Sequence, residues 1–346
     1  MNNVLNTLTS IRTNNPGLAN EKIDSNILLR ALTYSMEEQL LYKLGKKQKV
    51  ERNRGTNKVQ WRRYKPLPVA DDRGIITEGV NPKGMKVGSM SVSGTVSVYG
   101  AYIEVTRQTE AYNLDKLLVE YAPLITSHAS ETLELITRDA VEEDGGHYYV
   151  VPAGTSSPSE DAITISNKLT LDVCRIVANS MKVARRKGLE SANRYTVVTP
   201  VEGMQDLLDD EKLTVKAMVP GNTNKPIMDN GLENYDIYNL RFYEYAYPVI
   251  KNNSSEVPVY HTYCFGENAY AVMDLESAGI EMKRMGFEPK PGDNLGQIAS
   301  LGWITMGFGA KVLDPVACTI ISHAVSNPLS RPTNIYASQD GDGASV

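Results

Sequence analysis

Residues 114–141, LDKLLVEYAPLITSHASETLELITRDAV, place Leu114, Leu117, Leu118, Tyr121, Leu124, Ile125, Ala129, Leu133, Ile136 and Ala140 three or four residues apart. Asp115, Lys116, Glu120, Glu131, Glu134 and Arg138 fall on the opposite side. This spacing predicts one amphipathic helix. At 1.5 Å per residue it would span about 42 Å, longer than most globular helices, so its apolar stripe needs a surface to lie on. Pro123 predicts a bend near the start, and Gly145-Gly146 a stop. A strand-like run, Val92 to Arg107, precedes the helix, and two more, Ile298 to Val312 and Val316 to Ile321, come late. The expectation is that the late strands return beside the early one and form a sheet covering the helix.

With 346 residues and 41% hydrophobic content, the chain has room for two domains or for one carrying a large insertion. Its longest charge-free run, Asn294 to Ala310, is broken by Gly296, Gly302, Gly307 and Gly309, so no membrane span is expected. The opening MNNVLNTLTS lacks the basic and apolar regions of a secretory signal. Cys174, Cys264 and Cys318 form no CxxC pair, which predicts buried thiols in a reducing compartment. The net charge of -5 hides an asymmetry. Between Lys43 and Lys65 lie Lys46, Lys47, Lys49, Arg52, Arg54, Lys58, Arg62 and Arg63, with Glu51 as the one acid. A cationic arm on an anionic body can attract copies of itself or bind nucleic acid.

Taken in order, residues 1–26 read as an extended arm, and Asp24 or Ser25 caps a short amphipathic helix over 24–44. The basic run ends in Val59-Gln60-Trp61-Arg62-Arg63-Tyr64-Lys65-Pro66-Leu67-Pro68, followed by turn chemistry at Asp71 to Gly74 and Asn81 to Gly84. This predicts a long two-stranded excursion, marginal by itself and therefore resting on another molecule. Three readings of the Trp-Arg-Arg-Tyr cluster stay open: an intersubunit anchor, a cation–π cluster within one subunit, or a nucleic-acid stacking site. Between Val92 and Val105 the apolar set changes parity, with Gly100 as the expected bulge. His147 to Val151 and Ala162 to Ile165 read as a hairpin. Thr170 to Lys187 reads as a helix capped by Thr170 and ended by Gly188. Tyr195 to Thr199, closed by Pro200, a short helix at Val201 to Asp209, and strands at Tyr235 to Tyr247 and Val257 to Phe265 complete an α/β module. Asp274 to Arg284 leads back to the first layer, so one domain is expected inside another. The Ser-, Asn-, Gly- and Pro-rich tail, Asn327 to Val346, reads as disordered from composition.

Catalytic patterns are missing. GxxxxGK[ST], HExxH, GxSxG and GxGxxG do not occur. His128, His147, His261 and His323 lack metal spacing, Glu142-Glu143-Asp144 reads as a solvated helix end, and Asp340-Gly341-Asp342 lacks the other ligands of a calcium loop. No enzyme, cofactor or metal site is expected.

Three consecutive blocks point to a family. Val59-Gln60-Trp61-Arg62-Arg63-Tyr64 with Leu67-Pro68, then Thr77-Glu78-Gly79-Val80-Asn81-Pro82, then Tyr99-Gly100-Ala101-Tyr102-Ile103-Glu104-Val105-Thr106 resemble, in order, a family of tailed-bacteriophage major capsid proteins. Further matches are Gly266 with Ala269-Tyr270, Gly279 to Met282, Asp293 to Gln297 with Gly302-Trp303, and Ala310-Lys311. The likeness covers roughly residues 58 to 315. It implies an α+β chain of the Hong Kong 97-type fold. The parts would be an N-terminal arm (1–47), an extended loop (48–90), a peripheral domain (91–165 with the spine helix at 114–142, and 276–325 with return strands), an axial α/β domain (166–275) and a C-terminal tail (326–346). It also implies a non-enzymatic protein that self-assembles as hexamers and pentamers into an icosahedral shell around double-stranded DNA. Its partners would be other copies of itself, with scaffolding, portal and decoration proteins, packaged DNA by non-specific proximity, and no membrane. Its place would be the virion capsid, assembled in the host bacterial cytoplasm. Lys58, Trp61, Arg62, Arg63, Tyr64 and Lys65 are the expected intersubunit contacts. The competing reading is a nucleic-acid-binding protein with a basic loop.

Overall fold

The computed structural model describes residues 39–50, 57–64, 67, 78–79, 84–112, 117–152, 155, 157–189, 193–210, 239–275, 280–289 and 291–329. The expected arm, the helix before residue 39, Lys65, most turns of the excursion and the tail beyond residue 329 lie outside them. In chain order the elements are α1 (Leu40–Leu44), β1 (Lys46–Val50), β2 (Lys58–Tyr64), β3 (Ser89–Thr95), β4 (Ser97–Thr106), α2 (Arg107–Tyr112) and α3 (Leu117–Asp144). Then come β5 (Gly146–Tyr149), a 3-10 turn (Glu160–Ala162), α4 (Leu171–Val183), β6 (Tyr195–Pro200), α5 (Val201–Leu208), β7 (Leu240–Tyr245), β8 (Ile250–Asn252) and β9 (Pro258–Phe265). β10 (Tyr270–Leu275), β11 (Ile280–Met285), β12 (Ile298–Val312) and β13 (Cys318–His323) close the sequence. Two compact units result. The first comprises residues 1–144 and 268–314, and the second residues 145–267 and 315–346.

In the first unit a mixed sheet runs β1-β10-β12-β11, with β4 on the other side of β12. β12 and β4 pair antiparallel from Ile298 opposite Thr106 to Phe308 opposite Ser97, so the first late strand does return to the early one. The 28-residue helix α3 lies on these two strands. Leu117, Leu118, Ile125 and Ala129 pack against Val105, Leu301 and Trp303 in one core. Buried hydroxyls on the helix are satisfied locally: Thr126 Oγ1 donates to Ala122 O (2.9 Å) and Thr137 Oγ1 to Leu133 O (2.9 Å).

Two side chains depart from the helical pattern. Leu124, expected in the apolar stripe, is 60% exposed. Glu134, expected on the polar side, is 1% exposed. Its carboxylate accepts the backbone N–H groups of Leu41 (2.8 Å) and Tyr42 (3.1 Å), which the first turn of α1 leaves without partners. Gln39 Nε2 adds a bond to Ser130 O (2.9 Å). Chain entering from residue 39 is thereby clipped to the long helix before it continues into β1, which pairs parallel with β10. The parity change also lies elsewhere than expected. Val96 is buried and Val98 exposed, and the extra residue sits on β12 between Thr305 and Phe308. Gly100 serves close approach instead, because a Cβ there would stand 2.8 Å from Trp303 O.

The second unit holds a six-stranded sheet, β5-β13-β9-β6-β7, with β8 also paired to β9. β13, expected in the sheet of the early strand, belongs here, between β5 and β9. Cys318, Ile320 and Ile321 are all buried, and a strand apolar on both sides needs a sheet covered on both faces. β5 replaces the expected hairpin for the same reason: Tyr148 and Val150 pack into one core, Tyr149 and Val151 into another. Thr170 Oγ1 accepts from Val173 N (3.4 Å), the cap that the sequence predicts for α4. The helix ends earlier than Gly188. Arg185 takes a positive φ of 58°, and Arg186 N donates back to Met181 O (2.9 Å) in a Schellman-type close. The three cysteines are buried and form no disulfide, and burial pushes the Cys264 thiol up to about 12.

Candidate interaction surface

The basic run divides into two different structures. Lys46, Lys47 and Lys49 ride on β1, an edge strand inside the sheet, where Lys47 Nζ stands 4.4 Å from the centre of the Tyr42 ring. Tyr42 in turn donates from its hydroxyl to Asp274 Oδ2 (3.0 Å). Burial raises the Asp274 pKa, an effect opposed by the Tyr42 bond and by Lys47 and Lys49. Residues 46–50 are therefore sheet, and the two-stranded excursion starts later, with β2 and β3.

β2 and β3 pair antiparallel, Lys58 opposite Thr95 through Tyr64 opposite Ser89. Since directly opposed residues point the same way and successive ones alternate, the ribbon has two distinct faces. One carries Val59, Trp61 and Arg63. Val59 and Trp61 pack on the unit's own cluster of Val50, Val96 and Met273. Gly94 permits this contact, because a Cβ there would lie 2.7 Å from Met273 Cε and 3.1 Å from Trp61 Cζ3. Arg63 ends the row with an ion pair, Nη1 to Asp314 Oδ2 at 2.7 Å. The other face carries Lys58, Gln60, Arg62 and Tyr64 opposite Thr95, Ser93, Ser91 and Ser89. It is a cationic, hydroxyl-rich strip that ends in an aromatic ring.

Of the six residues singled out in sequence, Trp61 and Arg63 thus turn toward their own sheet, and Lys58, Arg62 and Tyr64 line the outer face. Lys65 lies outside the described residues. Near the far end Tyr64 is 63% exposed, together with Met85, Val87 and Met90. Sequence reading passed over these three. Their signal in the sequence is two methionines and a valine in a short polar, glycine-bearing segment, Gly84 to Ser91.

Among the described residues no other set of side chains competes as a site. The histidines are taken up by different contacts: His128 accepts from Trp303 Nε1 (3.1 Å), His147 stacks on Tyr149, His261 Nε2 lies 3.2 Å from Glu160, and His323 bonds Thr262 (2.9 Å). Asp144 is taken up by Lys311 at 2.6 Å. Among the described residues no group of three or more His, Cys, Asp or Glu is placed to hold a metal ion, and no helix is long and apolar enough to cross a membrane.

No protein-family model matches the sequence, and no curated protein does. Solved structures do match. The capsid of Ralstonia phage GP4 superposes with a TM-score of 0.62 at 10% identity, covering 95% of this chain and 100% of that one. The cyanophage Pam1 capsid gives 0.64 at 8% identity, over 92% and 98% of the two chains. Cyanophage P-SCSP1u gives 0.61 at 11%, over 92% and 95%. With likeness along nearly the whole of both chains and an α+β make-up of several sheets and one long helix, this protein has the Hong Kong 97-type fold of phage capsid chains.

Proposed function

We propose that this chain is the major capsid protein of a tailed bacteriophage, and that copies of it assemble as hexamers and pentamers into an icosahedral shell around double-stranded DNA. The observation that carries the reading is the match to a phage capsid chain over 95% of this chain and 100% of that one. The first unit, with the long helix, corresponds to a peripheral domain, and the second to an axial domain. The ribbon of β2 and β3 corresponds to the extended loop. Its outer face, Lys58, Arg62 and Tyr64, meets an acidic surface of a neighbouring copy, with Lys65 as a further contact, while Trp61 and Arg63 hold the stem. Assembly then takes place in the host bacterial cytoplasm and the product resides in the virion, with scaffolding, portal and decoration proteins as further partners. Many modest contacts closed by symmetry give a stable shell although each pair interface is weak. Such a protein needs neither cofactor nor catalysis.

The test is electron microscopy and sedimentation of the purified chain, alone and with a scaffolding protein. Closed shells are expected; monomers and dimers under every condition would sink the proposal. The same outer strip of Lys, Arg and Tyr also suits nucleic acid. That second reading requires duplex binding with a steep salt dependence and retained affinity near physiological salt.

A further inference from the structure

The outer face of the ribbon can present a defined surface only if its stem is fixed. Resting on the capsid reading, we propose that Arg63 is a positioning residue. Its ion pair with Asp314 sets the course of the ribbon over its own sheet and hence the direction in which Arg62 and Tyr64 are presented.

Four observations converge. Arg63 is the third residue of the inward row, and it stands where apolar cover stops, after Val59 and Trp61 have seated against Val50, Val96 and Met273. Next, the Asp314 side chain is only 7% exposed against 46% for Arg63, so the carboxylate is largely shielded from water. The Asp314 main chain is also held, because the N–H groups of Leu313 and Asp314 both donate to Ala269 O (2.9 and 3.2 Å). Finally, Lys311, three residues earlier, is tied to Asp144 at the end of α3 (2.6 Å), so this end of β12 is a fixed platform.

An exposed ion pair contributes little, but one whose carboxylate is mostly shielded and already positioned contributes more. Lysine is a weak substitute, since it offers a point charge on a flexible stem in place of a planar fork. Immobilising the stem before docking removes part of the ordering cost that a loose ribbon would meet at the interface. Arg62, one residue away, points outward and has no share in this.

The measurement is amide hydrogen exchange on the unassembled full chain, comparing Arg63→Ala, Arg63→Lys and Arg62→Ala with the parent. Arg63→Ala should speed exchange in β2 and β3 about tenfold while the β4 and β12 amides keep their rates, with Arg63→Lys in between and Arg62→Ala unchanged. Unchanged exchange in Arg63→Ala, an equal rise throughout the first unit, or the same rise in Arg62→Ala would overturn the proposal. No shell enters this readout. A chain that never assembles refutes the capsid reading and leaves the Arg63 result standing, and the converse also holds.

Discussion

Single residues decide where polar groups can be buried. His323 is fully enclosed; its Nδ1–H donates to Ala324 O (2.9 Å), which leaves Nε2 to accept from the Thr262 hydroxyl (2.9 Å). Burial pulls its pKa down to about 4. The unfolded chain, with an ordinary value near 6.5, therefore binds the extra proton between these limits. Its contribution to stability is complete above about pH 6.5, declines as pH falls, and declines no further below about 4. Urea unfolding over this range should show a slope that His323→Gln reduces; equal slopes in both proteins would refute the assignment. Gly94 acts by size. Gly94→Val drives a side chain into Met273 and Trp61 and should cost about 1–3 kcal/mol, read from thermal or urea unfolding. None of this is visible in composition. The sequence marks His323 as lacking metal spacing, but not as enclosed between two strands.

At the scale of elements, the α3–β12 pairing carries the first unit. Ile125 is buried between the helix and the sheet, so Ile125→Ala should lose about 2–5 kcal/mol through the cavity it leaves, measured by urea unfolding. Leu124→Ala, at an exposed site on the same helix, should stay within about 0.5 kcal/mol. The contrast tests the face assignment directly. Periodicity was enough to find the helix, β12, α4 with its Thr170 cap, and β6, β7 and β9 of the second unit. It failed where one residue answers to a neighbour distant in sequence. Glu134 is drawn inward by the open N–H groups of Leu41 and Tyr42, more than ninety positions earlier. β13 leaves β12 because its two apolar sides find cover only between β5 and β9. The ribbon was legible as two strands, but which face it turns to its own sheet depends on pairing register, and one residue of slip would exchange Trp61 for Arg62.

For the whole molecule, the capsid reading predicts that surface changes on the ribbon separate folding from assembly. Arg62→Glu with Tyr64→Ala should leave a folded chain with an unaltered melting curve, and should abolish shells or slow their formation at least tenfold, followed by light scattering and microscopy. Normal shells would remove the outer face from the interface. The sequence by itself determined the long helix, the alternation of strands and helices around α4, the concentration of positive charge before residue 66, and the motif blocks that carry the family likeness. These depend on local spacing and residue type, which chain neighbours set. Only the tertiary structure decided that Trp61 and Arg63 are spent on their own sheet, that Glu134 is buried, and that the second late strand crosses to the other unit. Each of those outcomes is a choice among surfaces far apart in the chain, made by burial and by the pairing of polar groups, and no local pattern encodes it.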